Sequence, residues 1–431
     1  MPYVLGIDLG RTSTVAALAR RQGGDWARPE VVWLHGQSAA VPSVLRVEAD
    51  GSFTVGEPAV SPLGTDDGRT TRDFVGRVGD DVPLIVGGEA CPAQALVAVL
   101  VLWVVERVTR REQERPETVV LSHPAGWGPY RRDLLHRALW EMGLTDVTLL
   151  PQPITAAEGH AARGFTGATA VVYCLGGAGF EAGLVQRAAH GGFELPGLPA
   201  TADRLGGADF DEALAEHVRG VLGRQAATRL SRDGFAAADL PARCAQARHD
   251  LTVATETDVV LRLHQGPARV PVTRPQFEEL IRPAVQATVE LTVQAVHAAG
   301  RSPADLDGVL LTGGCARIPL VTELLAARFG RPVEVEAEPQ TTSAVGAALA
   351  AGQIVSPRPN RPEPRNGRGR DVRDVRSARP EPARRSERMS QRHENDRPAP
   401  PPRPPVRIAP LELPSASRLT ALRGRGRDRR R

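Results

Sequence analysis

The chain contains no lysine. All 54 basic residues among its 431 are arginine, so any position whose chemistry calls for a lysine amine is filled by another group. Aromatic residues are scarce at 4%, and the interior has to rest on Val, Leu and Ala, which suits buried parallel strands covered by Ala-rich helices. The four cysteines, Cys91, Cys174, Cys244 and Cys315, lie far apart, which excludes a zinc knuckle or a closely spaced redox pair and fits a reducing cytoplasm. Long apolar runs are also missing. The best, Ala93 to Val105, is interrupted by Gln94 and falls short of the roughly 20 residues that a spanning helix needs, so it reads as a buried helix and no transmembrane segment is expected. Met1-Pro2 leads straight into a strand, without the basic and long apolar regions of a secretory signal, and a cytoplasmic location is expected.

What is present is unevenly divided. The length exceeds what one core supports, and 41% hydrophobic residues are enough to fill two lobes. Residues 355–431 hold 22 Arg against 9 acidic residues, net +13, whereas the remainder holds 32 Arg against 41, net −9. The overall +4 and the pI near 9.2 therefore describe the tail. An acidic body argues against nucleic-acid binding by the folded part. After Ile354 the composition turns to Pro, Arg, Ser and Asp and periodicity stops, which predicts a disordered tail with one apolar island, Ile408 to Pro414, readable as a spacer or a docking peptide.

Along the body, strands are expected at Tyr3 to Asp8, Thr14 to Ala19, Val31 to Leu34 and Val44 to Val47. A helix from Ala93 to Arg111, a strand at Thr118 to Leu121 and a helix from about Tyr130 to Met142 follow. A second strand-turn-strand start, Ala168 to Tyr173 and Ala182 to Gln186, suggests an internal duplication facing a shared cleft, with a helix from Asp209 to Leu222 beyond it. Leu240 to His249 and Asp258 to Leu263 read as the helix and strand of an inserted small subdomain, before a long helix from about Arg274 to Ala299.

Three glycine turns punctuate this order: Asp8-Leu9-Gly10-Arg11-Thr12-Ser13, Cys174-Leu175-Gly176-Gly177-Ala178-Gly179-Phe180-Glu181, and Leu311-Thr312-Gly313-Gly314-Cys315-Ala316-Arg317-Ile318-Pro319. Glycine in such turns lets main-chain N–H groups approach a phosphate or planar ring, and a following helix N-terminus favours anions. Further runs keep the same order, among them Phe74-Val-Gly-Arg77, Val119-Val-Leu-Ser-His-Pro-Ala-Gly-Trp127, Gln152-Pro-Ile-Thr-Ala-Ala157, Leu205-Gly-Gly-Ala-Asp-Phe-Asp211, Arg274-Pro-Gln-Phe-Glu-Glu-Leu280 and Glu338-Pro-Gln-Thr-Thr-Ser-Ala-Val-Gly-Ala-Ala348. In order and spacing the chain resembles, over about residues 1–352, the nucleotide-binding domain of the heat-shock protein 70 (DnaK-like) chaperones within the actin-like ATPase superfamily.

The resemblance implies an α/β, two-lobed actin-like ATPase (ribonuclease H-like) fold with a central nucleotide cleft. Lobe I would span about 1–165 and lobe II about 166–352, with a small subdomain at about 212–305. It implies ATP or ADP as ligand, with phosphates on Gly10, Arg11, Thr12, Gly176 and Gly177. The adenosine would lie against Arg248, Thr252, Gly313, Gly314 and Arg317. It makes Asp8 a metal ligand through water and a catalytic residue, and puts Arg72 where the family has the lysine that orients the attacking water. Several positions depart from the pattern. Arg11 stands for a small hydroxyl residue and could clamp phosphate or fill its pocket; Gln152 and Cys174 stand for acidic residues, and Gly179 for a threonine. A thiol does not replace a carboxylate around magnesium, a hard cation, and arginine is no general base. Magnesium binding is expected to be weakened and hydrolysis poor. Asp209 and Asp211 read as a helix cap rather than metal ligands.

These features imply a nucleotide-responsive scaffold or chaperone-related factor. The alternatives are an active ATPase, a structural pseudo-ATPase tethering an acidic partner and, last, a small-molecule kinase. An unidentified protein partner and a link to type VII secretion rest on analogy with actinobacterial members of the superfamily. The family's β-sandwich and lid have no counterpart in the Arg/Pro-rich stretch after Ile354. That stretch could contact acidic proteins, nucleic acid or anionic lipid, although no aromatic residue interleaves its arginines. Removing residues 356–431 should leave nucleotide affinity nearly unchanged and abolish salt-sensitive binding to polyanions. A melting point several degrees lower, or polyanion binding that survives high salt, would show the tail to be part of the fold.

Overall fold

A computed structural model describes residues 1–36, 38–59, 68–189, 191–232, 234–263 and 266–356; the tail expected from residue 355 lies outside them beyond its first two residues. Lobe I is built on β1 (Tyr3–Leu9) and β2 (Ser13–Gln22), an antiparallel hairpin in which Asp8 faces Val15 across the ladder. Every residue of β1 is buried, as its near-continuous apolar run requires of a central strand. α1 (Ala93–Glu112) covers the sheet with its Leu and Val face. β3 (Val119–His123) then runs parallel to β1 and sets Ser122 beside Asp8, α2 (Pro129–Glu141) follows, and β4 (Val147–Pro151) extends the sheet alongside β3. Val31 to Leu34 forms only the short strand Glu30–Val32, since Leu34 is buried without joining the ladder.

The chain passes to lobe II through α3 (Gln152–Ala162), entered directly from Pro151. β5 (Thr169–Leu175) and β6 (Phe180–Arg187) repeat the hairpin, with Cys174 opposite Glu181. α4 (Gly207–Arg232) is interrupted at Gly223, whose φ of 74° and ψ of 166° end its first part where the expected helix ends. α5 (Gly234–Asp250) leads to the antiparallel pair β7 (Glu256–Leu263) and β8 (Gly266–Thr273). α6 (Arg274–Ala298) starts at a capping box in which Thr273 and Gln276 satisfy each other's backbone. β9 (Gly308–Thr312) then pairs parallel with β5 and sets Thr312 beside Cys174. The helix expected straight after the Gly-Gly turn is delayed: a 3₁₀ turn, Gly314–Arg317, precedes α7 (Pro319–Phe329), and β10 (Val333–Val335) and α8 (Thr342–Val355) complete the body.

In each lobe the first strand lies between its antiparallel hairpin partner and a parallel strand, so β1 and β5 end in glycine turns of like construction. α8 crosses α3 and packs on β1 at backbone contact distance. A Cβ added at Gly346 would fall 1.7 Å from the Thr155 carbonyl oxygen, one at Gly159 would fall 2.4 Å from that of Thr342, and one at Gly6 would fall 2.1 Å from the Ala348 nitrogen. The helices therefore meet without intervening side chains.

This crossing makes a direct prediction. Gly346→Val should destabilise the body by about 3 kcal/mol or leave it insoluble, since the neighbour is backbone and cannot yield. Gly220→Ala, in an exposed and open stretch of α4, should be neutral or more stable by roughly 0.5–1 kcal/mol. Thermal or urea unfolding checks both, and equal midpoints for the two variants would contradict the contact.

Candidate functional site

A cavity of about 620 Å³ opens between the two hairpins, within the usual range for a site holding a small molecule. All three glycine turns line it. Gly10 is set by its own turn, since a Cβ there would fall 2.3 Å from the Ser13 carbonyl oxygen; Gly177 is set by the opposite lobe, with Thr12 side-chain atoms 2.8 Å from its would-be Cβ. The two phosphate-type turns thus close on each other. Gly313, at φ 90°, packs on the Leu175 carbonyl, whereas a Cβ on Gly314 would meet nothing within 4 Å. Gly314 is therefore the glycine whose missing side chain leaves room for a ligand. Beside it the Gln340 Oε1 is buried with no hydrogen-bond partner, an acceptor available to a bound base or ribose. The exposed Arg317 and His249 side chains line the same end, from the β9–α7 turn and from α5. Burial, then the charges of Arg248 and Arg317, lower the His249 pKa, so a neutral imidazole stands there.

At the other end, buried polar groups satisfy one another across the lobes. Gln152, the first residue of α3, donates from Nε2 to both Asp8 oxygens at 3.1 and 3.3 Å. Its Oε1 accepts the Cys174 thiol at 3.0 Å. Burial holds that thiol well above its ordinary pKa, and the Glu181 and Asp8 charges push the same way, so it stays protonated. Asp8 is itself raised to about 6 by burial, against the lowering effect of its Ser122 and Gln152 hydrogen bonds. Glu181 is raised to about 7, by burial first, although the Ala125 N–H donates to it at 2.8 Å from lobe I.

Arg11 is not loose in the cavity: both of its partners are carboxylates. Its Nε and Nη2 form a fork on Asp73 at 2.9 and 3.2 Å, and its Nη1 donates to Asp203 of lobe II at 2.7 Å. Arg72, one residue from that fork, is exposed and does not line the cavity, whereas Arg11 does, with Nη1 over the second glycine turn. The reason is local. Asp73 takes a left-handed φ of 54° and is the member of this run that meets Arg11. Arg248 is buried and committed to Asp211, at 2.8 and 3.2 Å, with its Nη1 3.6 Å from the Cys315 sulfur. Asp211 is thus an ion-pair partner rather than a cap, while Asp209 accepts the Gly206 N–H at 2.9 Å in the capping role expected of it. Thr252 donates to the His249 carbonyl and lies outside the lining.

Family comparison agrees with this geometry: the model of the Hsp70 protein family matches residues 81–363. The chain belongs to the Hsp70 family. It is therefore an ATP-binding, chaperone-family protein with an actin-like α/β fold. The match begins after the first hairpin, so Asp8, Gly10, Arg11 and Thr12 of this Hsp70-family chain are assigned to the cleft by their position opposite Gly177. Domains of the family bind ATP or ADP with magnesium. The open turn at Gly314 and the orphaned Gln340 oxygen fit the nucleoside. At the phosphate end the groups beside Asp8 are a protonated thiol and an amide, neither of them the hard oxygen ligand that magnesium prefers, while Asp8, Glu181 and the Arg11-paired Asp203 are carboxyl groups of the kind that hold its water shell. Asp73, Asp203 and Glu181 were not read from the sequence as site residues. The available signal was their place beside the family-like runs: Asp73 directly precedes Phe74-Val-Gly-Arg77, Asp203 lies two residues before Leu205, and Glu181 ends the second glycine turn.

The raised carboxyl groups set a pH dependence. A carboxyl whose pKa is higher in the fold than in the unfolded chain favours the fold most where it is protonated in both states. That advantage is lost as pH rises from the ordinary value, 4.5 for Glu181, to about 7. Glu181→Gln should therefore melt increasingly above wild type as pH rises across this window, by on the order of 3 kcal/mol at its upper end. A melting difference independent of pH would show that the fold leaves the Glu181 pKa at its unfolded value.

Proposed function

We propose that this protein binds adenine nucleotide in the interlobe cleft and acts as a nucleotide-responsive scaffold with weak or absent hydrolysis. The observation behind this reading is the hydrogen-bonded run from the Cys174 thiol through Gln152 to Asp8. Hydrolysis by phosphoryl transfer depends on positioned charge and an oriented water. Here the Asp8 carboxyl is capped by the Gln152 amide, the thiol is held protonated, and Arg72 stands off the cavity. Beside Asp8 stand an amide and a thiol rather than ionised oxygens, the exposed Asp203 carboxylate is paired with Arg11, and magnesium affinity is weakened accordingly. Glu181, raised to about 7 and free of the Gln152 amide that caps Asp8, suits a proton acceptor, and we assign any residual turnover to it.

The nucleoside end supports binding for the opposite reason. Gly314 leaves space, Arg317 and His249 flank it, and the buried Gln340 oxygen lacks a donor. A cytoplasmic setting, a protein client engaged according to nucleotide state, and a specialised role beside type VII secretion extend this reading. So does a tether made by the basic tail to an acidic partner. Among the described residues no helix is long and apolar enough to cross a membrane.

Isothermal titration should give binding of both ATP and ADP, nearly insensitive to magnesium and abolished in Gly314→Val, whose side chain fills the open turn. A wild-type protein that binds neither at millimolar concentration leaves the structural pseudo-ATPase instead. Turnover should lie far below that of an ordinary family member and vanish in Glu181→Gln. The paired reversion Cys174→Asp with Gln152→Glu should restore magnesium dependence; ordinary turnover that is lost on mutating Arg72 would sink the weak-hydrolysis reading.

A further inference from the structure

Arg11 holds three hydrogen bonds to two carboxylates, and the two are not equivalent. Asp73 takes the fork, Nε and Nη2 together, from the same lobe, and its side chain is 52% exposed. Asp203 takes a single bond to Nη1, comes from the other lobe, and is 90% exposed. The Nη1 atom lies over the second glycine turn: a Cβ on Gly179 would fall 3.5 Å from it. One guanidinium nitrogen therefore stands at the phosphate end with a carboxylate oxygen on it. That carboxylate sits on the short stretch between the strand Ala200–Ala202 and α4.

We propose that Asp203 is a built-in stand-in for phosphate, and that the terminal phosphate of a bound nucleotide takes its place on Arg11 Nη1, releasing the tie between the lobes. The idea rests on the nucleotide-binding reading above and deepens it by assigning the counter-charge and the signal. Three magnitudes decide the direction of exchange. An exposed, single-bonded ion pair contributes at most about 1 kcal/mol, so losing Asp203 costs little. A charge-assisted bond to phosphate inside the cleft is stronger and less screened. The Asp73 fork, being bidentate, keeps the guanidinium plane in place while Nη1 changes partner. Arg11 thereby supplies the positive charge that the donor set at Gln152 and Cys174 does not recruit as a metal. The protein distinguishes nucleotides with a terminal phosphate in reach of Nη1 from those without, and the distinction is read by the stretch carrying Asp203.

The test uses the full chain in EDTA, with ATP and adenosine titrated into wild type, Asp203→Asn, Arg11→Gln and the double variant. Asp203 is exposed, so its variant should fold normally. Asp203→Asn should tighten ATP roughly threefold to fivefold and leave adenosine unchanged. Arg11→Gln should weaken ATP at least about tenfold, again without effect on adenosine, and should cancel the gain from Asp203→Asn in the double variant. Unchanged ATP affinity in Asp203→Asn, or an equal shift for adenosine, overturns the exchange. If wild type binds neither ligand, the nucleotide reading fails and the exchange is judged with inorganic tripolyphosphate by amide hydrogen exchange at residues 203–205. Tripolyphosphate should speed wild-type exchange to the level of Asp203→Asn and leave Arg11→Gln unchanged; no acceleration in wild type overturns the exchange on its own.

Discussion

The architecture depends on the place where α3 and α8 touch through their backbones. Gly159 and Gly346 each sit against a carbonyl of the other helix, and Gly6 lets α8 lie on β1. Because no side chain separates these elements, the helix leaving lobe I and the helix ending lobe II share one axis of contact. The ends of β1 and β5 are thereby brought to opposite sides of a single cavity. The position of Gln152 follows from the same constraint. As the first residue of α3 it emerges where the two strand ends converge, and its amide is long enough to reach Asp8 on one and Cys174 on the other.

Much of this was legible in the sequence and some was not, for identifiable reasons. The hairpins at Tyr3–Leu9 and Thr169–Leu175 announce themselves by β-branched and apolar runs ending in glycine, and α1 and α6 by long apolar faces. α3 and α8 do not stand out as helices. Their segments are rich in Ala and other small residues, and α8 is buried over most of its length, so the contrast between an apolar and a polar face is missing. β8 was hidden by Pro267 and Pro271, tolerated because it lies in a two-stranded ladder with an open edge. At the site, the three glycine turns expected to face a shared cleft do line one cavity. Side-chain roles were harder, because an arginine's reach of several ångströms lets its partner be chosen by the tertiary fold. Arg11 was open between phosphate and pocket filling, and Arg248 was read as a ligand group. Both are held by carboxylates far away in sequence, Asp203 and Asp211.

The two ends of the cavity solve opposite electrostatic problems. At the nucleoside end the buried charge is already neutralised, since Arg248 and Asp211 form a bidentate pair, which leaves the exposed Arg317 at the mouth and an orphaned acceptor, the Gln340 oxygen, for a polar base. At the phosphate end two carboxyl groups are buried without any guanidinium bonded to them, and both respond by a raised pKa rather than by recruiting a partner. The permanent positive charge there, Arg11, is spent on acids at the rim. An anion entering this end therefore meets carboxyl groups that can become neutral and, in Arg11, a cation that cannot.

The substitutions at the phosphate end also make sense only together. An amide at 152 can donate to Asp8 because it carries N–H groups, and its remaining oxygen then needs a donor, which the Cys174 thiol supplies. A carboxylate at 152 with the thiol left in place would set two acids against each other at Asp8. A carboxylate at 174 with the amide left in place would leave the Gln152 oxygen facing a second acceptor. Either single change breaks a buried network in which every member is satisfied, and a half-satisfied network is costlier than either complete arrangement. The pair therefore behaves as one unit. The amide and thiol are better understood as one complete arrangement than as two separate substitutions.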